Sequence, residues 1–144
     1  MSEKHLILYA DDDEDDRDFF KYAANKLGVD VITFIDGNAL IEHLNKGQLD
    51  SPAILLIDIN MPRMSGFECL KKIRETEKIK EWPAIIYSTS NDDMDMIAAQ
   101  EAGADMYIVK PSNLDILQEI VSYAISIDWT VKSTPRKFIK FLKR

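Results

Sequence analysis

The chain has 144 residues, of which 46% are apolar and 30% charged, and this length fits one globular domain. No apolar run reaches the roughly 18 residues of a membrane span, so we do not expect a protein embedded in a membrane. The single cysteine, Cys69, cannot form an internal disulfide, which suits the reducing cytoplasm. Residues 128–144 hold six basic residues and one acidic residue, which leaves 12 basic and 24 acidic residues in a body that repels nucleic acid.

The first half of the chain alternates between strand and helix patterns. Residues 5–10 form a nearly continuous apolar run, which is typical of a strand buried on both faces. A helical pattern follows and ends at Gly28. Residues 29–34 are β-branched and aromatic and predict a second strand, and a second helix is predicted between the turn at Asp36 and Gly47.

The second half repeats this alternation three times. Residues 53–57 predict the most buried strand, and residues 84–87 and 106–109 predict the fourth and fifth strands. A helix follows each of them, and the residues that can cap these helices are Ser65, Asp92 or Asp93, and Ser112 or Asn113. Five βα units predict a parallel sheet that is covered by helices on both faces.

Residues 128–144 do not continue the alternation. After Pro135 the sequence RKFIKFLKR places its two phenylalanines and its leucine on one side of a helix and its basic residues on another. We therefore predict a domain over residues 1–127 and a basic C-terminal extension over residues 128–144 that forms a short helix. We expect this helix to pack on the acidic body, with contact to anionic lipid or to a partner as the alternative.

Polar side chains follow the predicted strands. In open α/β sheets the functional site lies outside the carboxyl ends of the strands. At these ends the sequence has Asp11, Asp12, Asp13, Asp36, Asp58, Ser88, Thr89, Ser90 and Lys110. If the first and third strands are neighbours in the sheet, then Asp11, Asp12 and Asp58 converge.

Convergence of three carboxylates has an electrostatic cost. At separations of about 5–6 Å and an effective dielectric of about 20, each pair repels by about 3 kcal/mol. The sum is comparable with the free energy of unfolding of a whole domain, about 5–15 kcal/mol. Lys110 offsets part of it, so either one carboxyl stays protonated or a hard cation occupies the site. Oxygen ligands without a nearby His or Cys favour Mg²⁺ over zinc, and we predict the cation.

A carboxylate beside a cation, a lysine and a hydroxyl can accept a phosphoryl group. Transfer of this group needs mainly positioning and neutralisation of its oxygens, and aspartate is a known nucleophile of this kind. Asp58 is the predicted acceptor because it follows the central, most apolar strand. The nearby acids Asp13, Asp15, Asp16 and Asp18 are interpreted as solvated residues that favour the start of the first helix.

Four segments of the chain resemble, in order, the signature segments of bacterial two-component response regulator receiver domains. They are ILYADDD, LLIDINMPRMSGFECL, PAIIYST and GADMYIVKP, within residues 5–127. The resemblance implies a flavodoxin-like fold, in which a doubly wound, five-stranded parallel sheet has the order 2-1-3-4-5 and helices on both faces. It also implies a stand-alone receiver of the chemotaxis-regulator type, phosphorylated by a sensor histidine kinase or a phosphotransfer protein, and not an enzyme that turns over external substrates.

The same resemblance implies a role for each residue of the site. Asp58 is expected to carry the phosphoryl group. The expected cofactor is Mg²⁺, or Mn²⁺, held by the side chains of Asp12 and Asp58, by the backbone carbonyl of Asn60, and by Asp11 through a bound water. Lys110 is expected to pair with the phosphoryl oxygens.

Two further positions are expected to transmit the change. Ser88 takes the position of the hydroxyl that hydrogen-bonds the phosphate, and Tyr107 that of an aromatic residue that moves with it. Thr89 stands where this family usually has Ala or Gly, so which of Ser88 and Thr89 is the switch hydroxyl stays open. The response is expected to reach an unknown downstream protein, or a second copy of the chain, through the surface of the fifth strand and its flanking helices.

Three other functions fit parts of the pattern. The first is a binding module of the same fold without phosphotransfer, which the complete set of acid, hydroxyl and lysine disfavours. The second is a flavodoxin-type redox protein, although the acids after the first strand repel a flavin phosphate. The third is a phosphohydrolase with an aspartyl intermediate, but Asn60 stands where such enzymes typically have a second Asp.

Overall fold

The protein is built on one parallel β-sheet. A computed structural model describes residues 5–47 and 52–129, together with the backbone of Ile139–Phe141. The strands are β1 (Leu6–Ala10), β2 (Asp30–Phe34), β3 (Ile54–Ile57), β4 (Ala84–Ser88), β5 (Met106–Val109) and β6 (Ile139–Phe141). Their order in the sheet is β2-β1-β3-β4-β5-β6. The predicted order 2-1-3-4-5 is therefore confirmed, and a sixth strand is added outside β5.

Five helices cover the two faces of the sheet. They are α1 (Glu14–Asn25), α2 (Gly37–Lys46), α3 (Gly66–Arg74), α4 (Asp93–Ala102) and α5 (Leu114–Ser126). The buried residues of α1 and α5 pack together on one face, and those of α2, α3 and α4 pack on the other. None of the helices in the described part of the chain has the length and apolar character that crossing a bilayer requires.

The central strands are apolar on both sides because both faces are covered. Every residue of β3 and β4 is buried. Alternate residues of β1 serve opposite faces, since Leu8 packs with the α2, α3 and α4 side and Tyr9 with the α1 and α5 side. This pattern is the one expected of parallel strands between two helical layers.

Each helix begins with a side chain that accepts a hydrogen bond from its own first turn. These N-caps are Asp13, Asp36, Ser65, Asp92 and Asn113. The structure thus decides between the predicted alternatives, with Asp92 rather than Asp93 and Asn113 rather than Ser112 as the caps. Because every cap follows a strand, the polar residues that begin the helices lie at the carboxyl edge of the sheet.

The C-terminal extension differs from its prediction. A short helix was expected there, but Ile139–Phe141 forms a strand that pairs in parallel with β5. The physical reason is that β5 would otherwise leave a row of unpaired backbone groups at the sheet edge, and a β-branched and an aromatic residue that alternate with a lysine suit such an edge. The helix prediction is wrong for these three residues, and residues 130–138 and 142–144 of the basic segment lie outside the described residues.

The packing of the body continues past the predicted boundary at residue 127. Trp129 packs against the apolar cluster on the α1 and α5 face. Its indole Nε1 donates a hydrogen bond of 3.0 Å to the carbonyl oxygen of Ala124. The last described residue of the main body is therefore anchored to α5.

One arginine joins three parts of the fold, and its removal is predicted to be costly. The Arg74 guanidinium donates to the carbonyl oxygens of Gly103 at 2.9 Å, Lys80 at 2.9 Å and Trp82 at 2.7 Å, and to the Asp105 carboxylate at 3.1 Å. We expect Arg74→Ala to lower the free energy of unfolding by about 2–4 kcal/mol, because buried acceptors lose their donor. Urea unfolding measures this effect.

The matched control for Arg74 is Lys71→Ala, which removes an exposed cation from the same helix. This change is expected to alter the free energy of unfolding by less than about 0.5 kcal/mol. Equal effects of the two substitutions would contradict a bridging role for Arg74.

Candidate functional site

Three carboxylates meet at the carboxyl edge of β1 and β3. The register pairs Ala10 with Ile57, so the acids that follow these two strands are neighbours. Carboxylate oxygens of Asp11, Asp12 and Asp58 lie within 4.8 Å of one another. Asp11 is fully buried and Asp58 is 7% exposed, whereas Asp12 is open to solvent. The predicted convergence of these residues is therefore present in the structure.

Lys110 is the cation that faces this cluster. Its Nζ lies 2.7 Å from Asp11, 2.9 Å from Asp16 and 3.5 Å from Asp58. Burial by itself lowers the pKa of Lys110. Hydrogen bonds to Asp11 and Asp16, together with the negative charges of Asp58 and Asp11, outweigh burial and raise the pKa above its ordinary value. The side chain is therefore a permanent cation that is shared among three carboxylates and held closest to two of them.

The negative charge of an ionised Asp58 is only partly neutralised by its surroundings. Burial raises the pKa of its carboxyl to about 6, and the charge of Asp11 adds to this, while Lys110 acts in the opposite direction. One monocation does not balance the carboxylates around it. A set of oxygen donors without His or Cys, carrying excess negative charge, fits Mg²⁺ or Mn²⁺.

Asp11 is held in place by a network beneath the site. One of its oxygens accepts hydrogen bonds from the buried Tyr9 hydroxyl at 2.5 Å and from Lys110. The other accepts from the backbone N–H of Asp13 at 2.9 Å. The ring of Tyr9 packs in turn against Phe20, with ring centroids 5.0 Å apart. Both carboxylate oxygens of Asp11 are thus engaged, which fixes the orientation of the side chain.

Two of these residues were missed in the sequence. Asp16 was interpreted as a solvated acid, but its carboxylate pairs with Lys110. Tyr9 was counted with the apolar strand. A tyrosine in a buried strand needs a hydrogen-bond partner for its hydroxyl, and this need could have indicated a polar neighbour. No comparable signal exists for Asp16, because its partner lies 94 residues away in the chain.

The two candidate switch hydroxyls differ in burial. Ser88 ends β4 and is 1% exposed, whereas Thr89 is exposed. The Ser88 hydroxyl accepts a hydrogen bond of 3.1 Å from the backbone N–H of Ser90. The buried Tyr107 donates through its hydroxyl to the carbonyl oxygen of Ser90 at 2.9 Å. This segment after β4 is also tied to α4, because the Ser90 hydroxyl donates to Asp95 at 2.6 Å.

Two further polar residues stand in the loops at this edge. Asn60 is exposed in the loop after β3. Asp36 is buried but accepts from the backbone N–H of Ala39 and pairs with Arg63 at 3.5 Å, so it caps α2. The loop between β3 and α3 returns close to the site, since the Gly66 N–H donates to the Ile59 carbonyl at 2.8 Å.

A doubly wound parallel sheet of this order, with acids at the carboxyl ends of its central strands, defines a flavodoxin-like α/β domain with an acidic site. The chain matches the response regulator receiver domain family over residues 7–122, and it belongs to that family. Proteins of this family act in two-component signalling, which disfavours the redox-protein and phosphohydrolase alternatives.

Relatives of the chain include proteins of similar length and much longer ones. It is 33% identical to the chemotaxis protein CheY1 of Helicobacter pylori over 114 residues, which are 78% of this chain and 90% of CheY1. It is 30% identical to the alkaline phosphatase synthesis transcriptional regulatory protein PhoP of Bacillus subtilis over 105 residues, which are 73% of this chain. The match spans only 42% of PhoP.

Solved structures give the same relationship. The chemotaxis response regulator CheY4 of Vibrio cholerae superposes with a TM-score of 0.74 at 26% identity, covering 84% of this chain and 98% of CheY4. The Mn(2+)-bound form of response regulator Rcp1 superposes with a TM-score of 0.71 at 26% identity, covering 90% of this chain and 97% of Rcp1.

Proposed function

We propose that this chain is a receiver that accepts a phosphoryl group on Asp58 in the presence of Mg²⁺ or Mn²⁺ and signals through protein–protein contacts. One observation carries the proposal. The carboxylate of Asp58 lies at the end of the central strand, 3.5 Å from Lys110, and in a cluster with Asp11 and Asp12 whose oxygens are within 4.8 Å of one another. An acceptor, a cation and a metal-type donor set thus share one site.

Asp58 acts as the nucleophile in this proposal. A carboxylate oxygen forms a bond to the phosphorus of a phosphohistidine or a small phosphodonor, while the bond between phosphorus and the leaving atom breaks and its electron pair departs with the leaving group. The Lys110 ammonium moves from its present carboxylate partners toward the phosphoryl oxygens and neutralises part of their negative charge.

The cation site in this proposal uses four residues. Asp12 and Asp58 hold the ion through their side chains, Asn60 holds it through its backbone carbonyl, and Asp11, whose oxygens are already engaged, holds it through a water. A bound Mg²⁺ or Mn²⁺ supplies positive charge that the developing phosphoryl oxygens require. The Mn²⁺-bound form of the similar Rcp1 supports this assignment.

Ser88 is the switch hydroxyl in this proposal, because it is buried at the end of β4 whereas Thr89 faces solvent. When the Ser88 hydroxyl turns to the phosphoryl oxygens, it releases the N–H of Ser90. Tyr107 responds because its hydroxyl donates to the carbonyl of the same Ser90. The change thus reaches β5, and phosphate acts by shifting a two-state population.

The partners in this proposal are a sensor histidine kinase or a phosphotransfer protein on the input side. On the output side they are a downstream protein or a second copy of this chain, contacted through β5 and its flanking helices. The acidic body gives no electrostatic basis for direct nucleic acid binding, and the chain acts in the cytoplasm.

The decisive experiment is incubation with acetyl phosphate and Mg²⁺, followed by mass measurement of the intact protein. We expect the chain to gain one phosphoryl group and Asp58→Asn to gain none. Asp36→Asn is the matched control, because Asp36 is also a buried acid at this edge and asparagine still caps α2. This control is expected to be phosphorylated. No gain by the unmodified chain would instead support the binding module without phosphotransfer.

Asp16 is predicted to slow phosphorylation by holding Lys110. Lys110 lies closer to Asp16, at 2.9 Å, than to Asp58, at 3.5 Å, so it has to give up this contact to follow the phosphoryl group. The Asp16 side chain is 40% exposed, and the pair is therefore worth about 0.5–1 kcal/mol. We expect Asp16→Asn to raise the rate of phosphorylation by acetyl phosphate about two- to fivefold.

The control for Asp16 is Asp15→Asn, which removes the same charge from an exposed position of the same helix turn. An equal acceleration in both variants would show that net charge, and not the contact with Lys110, sets the rate.

A further inference from the structure

The connection from β5 to β6 differs from the other connections of the sheet. The strands β3, β4, β5 and β6 follow one another in a single direction across the sheet. The helices α3 and α4, which join β3 to β4 and β4 to β5, pack on one face. The helix α5, which joins β5 to β6, packs on the opposite face. The last crossover therefore has the opposite hand to the two before it.

The first two crossovers agree with those of α3 and α4. The chain moves from β1 to β2 in the reverse direction, with α1 on the α5 face, and from β2 past β1 to β3 in the forward direction, with α2 on the α3 face. A crossover that reverses both its direction along the sheet and the face on which its helix packs keeps the same hand. The crossovers through α1, α2, α3 and α4 therefore share one hand. About 98% of such crossovers are right-handed, and the connection through α5 is left-handed.

The left-handed crossover exists only if β5 and β6 belong to the same chain. A strand that arrives from a second molecule pairs with the same edge without crossing its own sheet. We propose that the outer edge of β5 is a strand-acceptor site that takes Ile139–Phe141 from a second copy of this chain, with the exchange reciprocal in a two-fold dimer. The register is the one seen within the chain, with Met106 opposite Ile139 and Ile108 opposite Phe141.

The reach and the charge of the C-terminal segment suit this exchange. Nine residues separate Trp129 from Ile139, and a chain of that length can span at most about 30 Å when it is extended. Residues 128–144 carry six basic residues and one acidic residue, while the rest of the chain carries 24 acidic and 12 basic residues. The donated segment and the body that receives it therefore attract each other.

The helices joined to β5 also carry apolar side chains that a second copy can cover. Met94 and Ile97 of α4 are 70% and 49% exposed, and Tyr123 of α5 is 38% exposed. Without β6, the edge of β5 presents unpaired backbone groups, which is the usual acceptor of an added strand. Strand pairing at β5 and apolar contact on the two helices joined to it are thus both available to a second copy.

The test places a pair of cysteines across this register. The double variant Ile108→Cys with Phe141→Cys is oxidised with copper phenanthroline and analysed without reductant, in the absence of any phosphodonor. Register partners on neighbouring strands are close enough for a disulfide, and Cys69 is fully buried. We expect a covalent dimer. A disulfide within one chain, or no disulfide between these positions, would overturn the exchange.

Three further measurements keep the test independent of the folding of that variant. Ile32→Cys with Phe141→Cys places the first thiol on β2, at the opposite edge of the sheet, and is expected to give no dimer. The unmodified chain is measured by light scattering and is expected to be dimeric. Lys140→Pro, or Ile139→Pro with Phe141→Pro, removes the backbone donors that face β5, and one of the two is expected to be monomeric. A monomeric unmodified chain, or two dimeric proline variants, contradicts the proposal.

Discussion

Replacing Gly66 with alanine is expected to lower the free energy of unfolding by about 3 kcal/mol and to abolish phosphorylation at Asp58. A Cβ atom at Gly66 overlaps the backbone carbonyl of Asp58 and lies 3.0 Å from the Cα of Ile59. Both neighbours are backbone, so no side-chain rotation relieves the overlap. Retreat of α3 would break the hydrogen bond from the Gly66 N–H to the Ile59 carbonyl.

The consequence reaches the site because the displaced carbonyl belongs to Asp58 itself. Gly28→Ala is the matched control, since Gly28 has a φ of +77° but no atom within 4 Å of the added carbon. It is expected to cost about 1 kcal/mol of backbone strain and to leave phosphorylation unchanged. Urea unfolding and the mass measurement report both effects, and a Gly66→Ala protein as stable as Gly28→Ala would contradict the packing argument.

Replacing Asp58 with asparagine is expected to raise the free energy of unfolding of the metal-free protein by about 1–3 kcal/mol at pH 8. The folded protein raises the pKa of Asp58 from 3.8 to about 6. At about 1.36 kcal/mol per unit the difference is about 3 kcal/mol, and solvent at the mouth of the site reduces it. Asparagine removes the repulsion from Asp11 and keeps the shape of the side chain.

The pH dependence of this effect has a definite sign. Because the pKa is raised on folding, the folded state binds the proton more tightly, so stability from this group is present at low pH and is lost as pH rises from 3.8 to about 6. The advantage of Asp58→Asn is therefore complete above that range and disappears below it. Unfolding in urea with a chelator, at pH 8 and at pH 4, measures the difference.

Asp36→Asn serves as the control here too, because it neutralises a buried acid that has a capping role and an arginine partner. We expect it to change the free energy of unfolding by less than about 1 kcal/mol at either pH. A less stable Asp58→Asn protein at pH 8 would mean that Lys110 more than offsets the burial and repulsion of the carboxylate.

Local patterns determined most of the fold and the outline of the site. The apolar runs and helical periods predicted all five βα units, since a strand covered on both faces must be apolar throughout. Parallel strands bring their carboxyl ends to one edge, so Asp11, Asp12, Asp58, Ser88 and Lys110 could be placed together from the sequence.

Only the tertiary structure decided which of these polar groups touch and which strand lies at the edge. The contact between Asp16 and Lys110 joins residues 94 positions apart. It depends on where the first turn of α1 lies relative to the residue that follows β5, and no local period encodes that position. The extension has a helical pattern of basic and apolar residues, yet Ile139–Phe141 pairs with β5. Pairing with an open strand edge satisfies backbone groups of both strands. A pattern of side chains alone does not reveal this stabilisation.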